Sequence, residues 1–155
     1  MTTIKHVTQQ DKADVIALAE RSGLFSPEGI ALIEERLDQY FAGSGEIWLA
    51  SGDGEIAGAL YCTPEPMTDG TWNILMLIVS TDTHGQGHGR ALMSHVETVL
   101  AARGARLLIV ETSSTDGFER ARTFYPKCGY QEEARIKDFY TTGDDKVVFT
   151  KPLVA

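Results

Sequence analysis

Trp72-Asn73-Ile74-Leu75-Met76-Leu77-Ile78-Val79 runs into Ser80-Thr81-Asp82-Thr83-His84 and then into Gly85-Gln86-Gly87-His88-Gly89-Arg90. An apolar run of that length with so little polar alternation reads as a strand buried on both faces. Past the glycines the apolar period changes: Leu92, Met93, Val96, Val99 and Leu100 share one helical stripe, and His95, Glu97 and Thr98 lie off it. The order is therefore strand, glycine loop, helix, with the helix ending near Arg103-Gly104. The amides of Gly87 to Arg90 then open a helix at the positive end of its dipole, with no bulky Cβ at alternate positions, which suits phosphates. A dinucleotide fingerprint fails on spacing, because Arg90 and Leu92 stand where its third small residue belongs.

Outward from this stretch, Thr3 to Val7 reads as a short first strand, and Asp11 opens a helix that Gly23 stops. Ser26-Pro27-Glu28 starts a second helix with a cap, a proline at the first position and an acid in the first turn. Its stripe of Ile30, Ile33, Leu37, Tyr40 and Phe41 runs to Gly43. Glu46 to Ser51 and Ile56 to Thr63 read as strands joined by Gly52-Asp53-Gly54-Glu55, and Pro64 to Gly70 as a rim loop. On the other side, Arg106 to Thr112 reads as a buried strand that a helical crossover can set parallel to the first. Phe118 to Lys127 is a helix broken at Cys128-Gly129. Gln131 to Phe139 and Asp145 to Leu153 form a last antiparallel pair.

A hydrophobic share of 43% and a charged share of 23% are ordinary for a folded chain, so disordered and fibrous classes are out. The net charge of -8 comes without a basic cluster, which argues against nucleic acid as a partner. Cys62 and Cys128 have neither metal-ligand spacing nor disulfide-scaffold density and read as free thiols. The N-terminus lacks a signal-peptide pattern and no apolar run reaches membrane-spanning length, so a cytoplasmic protein with no membrane partner is expected. His84, His88 and His95 cluster, but no cysteine or carboxylate completes a metal site.

The glycine loop resembles the acyl-CoA loop of the GNAT family of N-acetyltransferases, whose pattern is Gln or Arg, two residues, Gly, any residue, then Gly or Ala. Gly87 and Gly89 fill the glycine positions, and His84 stands where the family prefers Gln or Arg. Separately, Ala121-Arg122-Thr123-Phe124-Tyr125-Pro126-Lys127-Cys128-Gly129-Tyr130 is similar to the family's helix ending Phe-Tyr-x-x-x-Gly-Phe or Tyr. The resemblance implies an α/β fold of α+β type: a central mixed, mostly antiparallel sheet of six to seven strands with a parallel splayed pair, flanked by about four helices. It implies a single domain over residues 1–155.

It also implies acetyl-CoA as co-substrate. The backbone of Ile78 and Val79 and the loop His84, Gly85, Gln86, Gly87, His88, Gly89 and Arg90 would hold it. The acetyl group would pass by direct attack to a primary amine of a small molecule or of a protein. Tyr125 takes the position of the family residue that protonates the departing thiolate; the alternative is plain aromatic packing. Where some members carry a basic Glu on the central strand, this chain has Asn73, so Glu111 at the end of the neighbouring strand is the substitute base, against the alternative of a solvated carboxylate. Phe118 replaces an Asn found in many members seven residues before the tyrosine. Asp138 and Tyr140, with Glu28, Trp72 and Asn73, are the candidates for the acceptor side, and a homodimer is allowed. A non-catalytic acyl-CoA-binding sensor of the same fold is the second reading.

Overall fold

The computed structural model describes residues 2–153. Seven strands are hydrogen-bonded in the order β1-β2-β3-β4-β5-β7-β6, which matches the mixed sheet expected, and four α-helices accompany them. β4 (Thr71–Val79) and β5 (Leu107–Ser113) run parallel over Thr71↔Leu107 to Ile74↔Val110. The chain divides into two compact units, Met1–Thr63 with Met76–Val96, and Pro64–Leu75 with Glu97–Ala155.

In the first unit, β1 (Ile4–His6) pairs antiparallel with β2 (Ile47–Ser51), which pairs antiparallel with β3 (Gly58–Pro64). α1 (Lys12–Ser22) ends at Gly23, whose φ of 69° is the left-handed conformation that only glycine enters without cost. α2 (Pro27–Phe41) begins as its sequence dictates: the Ser26 hydroxyl accepts from the Gly29 amide at 3.1 Å, and Pro27 occupies the first turn. Both helices bury their apolar stripes with Trp48, Tyr61, Met76 and Ile78 in one core. The β2–β3 connection is longer than the glycines suggest. Ser51 pairs with Gly58, Ala57 donates to the Ser51 carbonyl at 2.8 Å, and Ile56 stays outside the ladder. Gly58 is required there, because a Cβ would stand 2.6 Å from the Ser51 hydroxyl and 3.0 Å from a Leu92 methyl.

In the second unit β5 also pairs with β7 (Asp144–Pro152), and β7 with the edge strand β6 (Gln131–Thr141), both antiparallel. α4 (Glu119–Lys127) follows a short 3-10 turn, and Leu108, Val110, Tyr125 and Phe149 are buried. α3 (His88–Ala102), whose residues up to Val96 belong to the first unit, buries Leu92, Met93, Val96 and Leu100, four of the five residues on its expected stripe.

The expectation that β4 is buried on both faces is corrected. Ile74, Met76 and Ile78 are buried, whereas Leu75 is 47% exposed and Leu77 and Val79 are half-buried. Pairing with β5 stops at Ile74, and from Leu75 onward the alternating strand covers one face only. A uniformly apolar sequence cannot report that change.

Asp11 anchors the start of α1: its carboxylate accepts from Lys5 Nζ at 2.8 Å and from the Thr8 amide at 2.8 Å. Burial alone would raise the Asp11 carboxyl, but the bonds from Lys5 and Thr8 outweigh it and lower it below the ordinary value. A depressed acid stabilises above its unfolded value of about 4 and loses that contribution as pH falls through the lower folded value. Asp11→Asn should therefore cost about 1 kcal/mol at pH 7 in denaturant unfolding, and the gap to wild type should close as pH falls through the lowered folded value. A gap independent of pH would mean that the charge is irrelevant.

Candidate active site

The expected phosphate loop lies in the first unit. Gly85 and Gly87 each sit at φ 85°, with nothing within 4 Å of where a Cβ would project, so backbone conformation rather than crowding requires glycine. Gly89 has no positive φ and lies in the first turn of α3. The Ala91 amide bonds the Gly87 carbonyl at 3.0 Å, so the helical ladder is running by Ala91. Two histidines fix the loop. His88, buried, shares a 3.1 Å hydrogen bond between Nδ1 and the Ser51 hydroxyl. His84 Nε2 lies 3.1 Å from the Val79 carbonyl, an acceptor only, so that nitrogen carries the proton. His84, the departure from the family pattern, thus ties the loop back to the end of β4.

The expected proton donor lies in the second unit. α4 ends in a turn in which Gly129, at φ 91°, lets the Tyr130 amide return to the Tyr125 carbonyl at 3.1 Å. Tyr125 is 5% exposed, its ring set against Phe124, Tyr130 and Phe149 at centroid distances of 5.4, 6.2 and 5.6 Å. Burial, with a smaller effect of Cys128, pushes its phenol well above the ordinary value. Other buried or half-buried tyrosines spend their hydroxyls: Tyr40 on the Val7 carbonyl at 2.9 Å, Tyr61 on Glu46 at 2.5 Å and Tyr130 on Glu97 at 2.8 Å. No hydrogen bond joins the Tyr125 hydroxyl to another described residue, and this oxygen is not one of the fully buried orphaned polar atoms. The ring is core, and its hydroxyl is bonded to no described residue.

Register sorts the acceptor-side candidates. Asn73 faces Ile109 across the parallel ladder, so Asn73, Ile109 and, two residues on, Glu111 share one sheet face. Trp72 points to the opposite face, where the Arg103 guanidinium lies 5.8 Å from its ring centroid, so the structure separates it from Asn73. The Glu111 carboxylate is already engaged, 2.7 Å from Lys146 Nζ. That ammonium also sits 4.1 Å from the Phe139 ring centroid, and Phe139 packs edge-on against Tyr140. Burial, followed by the charges of Glu111 and Asp144, raises the Tyr140 phenol. Asp138 caps its own hairpin: its carboxylate accepts from the Gly143 amide at 2.9 Å, and its φ of 56° is strained for a non-glycine residue. Glu28 is exposed in the first turn of α2, in the first unit.

Sequence reading passed over three residues here. Lys146 neutralises Glu111. Arg122 on α4 donates to the Ser113 and Thr115 carbonyls at 2.8 and 2.7 Å, fixing the end of β5. Glu65, on the loop before β4, accepts from Asn73 Nδ2 at 2.9 Å. Asn73 is 4% exposed and its Oδ1 has no partner, an arrangement that costs about 1–3 kcal/mol for a buried acceptor. No sequence signal marked Glu65 beyond its place in the one proline-rich loop.

Among the described residues, no helix is long and apolar enough to cross a membrane. No curated protein matches the sequence. Among solved structures, an acetyltransferase described as of the GNAT family from Desulfovibrio desulfuricans is 30% identical, with a TM-score of 0.93 over 99% of this chain and all of the other. An acetyltransferase from Salmonella typhimurium, solved with its cofactor acetyl-CoA, is 17% identical, with a TM-score of 0.81 over 99% of this chain and 94% of that one. The ribosomal-protein-S18-alanine N-acetyltransferase of Escherichia coli is 20% identical, with a TM-score of 0.80 over 100% and 96%. Residues 43–132 match the acetyltransferase (GNAT) domain, a span that holds the β2–β3 hairpin, the glycine loop and the Tyr125 helix, and the chain belongs to the GNAT acetyltransferase family.

Proposed function

We propose that this protein transfers the acetyl group of acetyl-CoA to a primary amine of a small molecule or of a protein. The amine nitrogen attacks the thioester carbonyl, the new C–N bond forms as the C–S bond breaks, the thiolate takes a proton and the nitrogen gives one up. The loop from His84 to Arg90 supplies amides and a helix start for the diphosphate, and the backbone of Ile78 and Val79 the acceptors and donors for pantetheine. With the Val79 carbonyl held by His84, the remaining groups of that strand carry the contact.

The observation that carries the catalytic reading, against a sensor that only binds acyl-CoA, is the uncommitted Tyr125 hydroxyl on a ring locked by packing. A sensor needs no such group, and other buried tyrosines bond theirs. Its raised phenol stays protonated at working pH and donates only as the sulfur develops charge. Glu111 is the proposed proton acceptor for the amine. Its ion pair with Lys146 holds the carboxylate in place and must loosen as the proton arrives.

Acetyl-CoA at about a hundred times its dissociation constant should stabilise the wild type by about 2.7 kcal/mol in thermal unfolding. Gly89→Val should remove most of that gain and leave the fold intact, since Gly89 is not held at a positive φ. An unchanged melting temperature with acetyl-CoA would refute cofactor binding.

Tyr125→Phe keeps the ring and deletes the donor. Turnover should fall at least about tenfold, with acetyl-CoA binding nearly unchanged and the loss smaller for donors whose thiol leaves more readily. Normal turnover by the Phe variant would leave Tyr125 as core alone. For Glu111→Gln, turnover should fall with cofactor affinity intact, and the deficit should shrink as pH approaches the amine's own pKa. A pH–rate profile matching wild type in shape and height removes Glu111 from the reaction.

A further inference from the structure

Two features of the second unit are unexplained by packing or by the roles above, and they touch each other. Glu65 is half-buried and in no ion pair among the described residues, unlike Glu111, which Lys146 neutralises. Asn73, on β4, gives Nδ2 to Glu65 Oε1 at 2.9 Å while its Oδ1 is buried without a donor. The amide cannot be turned round, because a carboxylate only accepts and Oδ1 against Oε1 would be repulsive.

The Glu65 backbone is as fixed as its side chain. Its amide donates to the Thr71 carbonyl at 2.9 Å, its carbonyl accepts from the Thr68 hydroxyl at 2.9 Å, and the loop's far end is held by the Arg106 amide on the Gly70 carbonyl at 2.7 Å. For stability alone an apolar residue at position 73 would be better, because it would leave no orphaned acceptor. What Asn73 gains is a carboxylate held at one place, with its second oxygen uncommitted.

We infer that Glu65, positioned by Asn73, binds the ammonium group of the acceptor, so that the protein selects aliphatic amines that arrive as cations. This rests on the acetyl-transfer reading and names its acceptor class. An ammonium offers three N–H donors and the positive charge that Glu65 lacks, and carboxylate–ammonium bonds are among the stronger hydrogen bonds. Asn73 is then a positioning residue; the ammonium gives one proton to Glu111 before it attacks, and the nitrogen gives a second to solvent after the C–N bond forms, while Tyr125 protonates the thiolate and is reprotonated from solvent.

The test is steady-state transfer from acetyl-CoA to n-butylamine, spermidine and an alanyl peptide amide, followed by thiol release, with melting temperatures alongside. Glu65→Gln should raise the KM for the amines at least about tenfold, with kcat within about threefold and the KM for acetyl-CoA unchanged. Asn73→Leu should raise the amine KM similarly while the melting temperature holds or rises, and the double variant should be no worse than the singles, since the two residues act as one unit. An amine KM unmoved by Glu65→Gln overturns the inference. So does Asn73→Leu that lowers the melting temperature with KM intact, which is what a purely structural amide would do. If wild type acetylates none of the amines, the acetyl-transfer reading fails separately. Calorimetric binding of spermidine then decides: loss of binding in Glu65→Gln supports the ammonium site, and equal or absent binding overturns it.

Discussion

The parallel ladder between Thr71–Ile74 and Leu107–Val110 sets where the chemistry can be, because parallel strands cannot be joined by a tight turn. The link from β4 to β5 has to contain a crossover element, and here that element is α3, entered through the glycine loop. The glycine loop between Val79 and His88 leads from the end of β4 into the first turn of α3. The same ladder fixes which side chains share a face: Asn73, Ile109 and Glu111 on one side, Trp72 on the other. Its short length leaves Leu75 with much of its surface open and ends the burial on both faces that the apolar run suggests.

Among the described residues the fully buried polar side-chain atoms left without a partner are Trp48 Nε1 and Asn73 Oδ1, and the second lies on the face shared with Glu111. Lys151 bonds both Glu97 and the Cys128 carbonyl, at 2.9 and 3.0 Å, and Glu97 also takes the Tyr130 hydroxyl. That network holds the end of α4, and with it the ring of Tyr125. Against this background, a phenol that bonds no described residue and an unpaired amide oxygen beside a carboxylate in no ion pair stand out physically. Satisfied networks rigidify, and groups left over beside them are available to a substrate at little reorganisation cost.

His84, Asn73 and Phe118 depart from the family's pattern, and for His84 and Asn73 the structure shows what each does instead. His84 donates to the carbonyl that ends β4, a job a ring N–H does from a fixed tautomer. Asn73 carries no carboxylate of its own and instead donates to that of Glu65 from the preceding loop. The departures therefore relocate polar contacts and do not abolish them.

The element order, the caps at Ser26 and Gly23, the crossover helix and the glycine loop that leads into it were legible in the sequence, because each depends on residues close together in the chain. Backbone preference, helical periodicity and the left-handed tolerance of glycine are local properties. The identity of the Tyr125 helix was legible for the same reason. The fate of each side chain was not. Whether the Tyr125 hydroxyl is committed, that Glu111 meets Lys146 thirty-five residues on, that Trp72 and Asn73 face apart, and that Glu65 pairs with Asn73 all depend on strand register and loop path. A shift of one residue in register would turn every side chain of β4 to the other face. Only the folded chain sets that register, because the contacts that fix it join segments far apart in sequence.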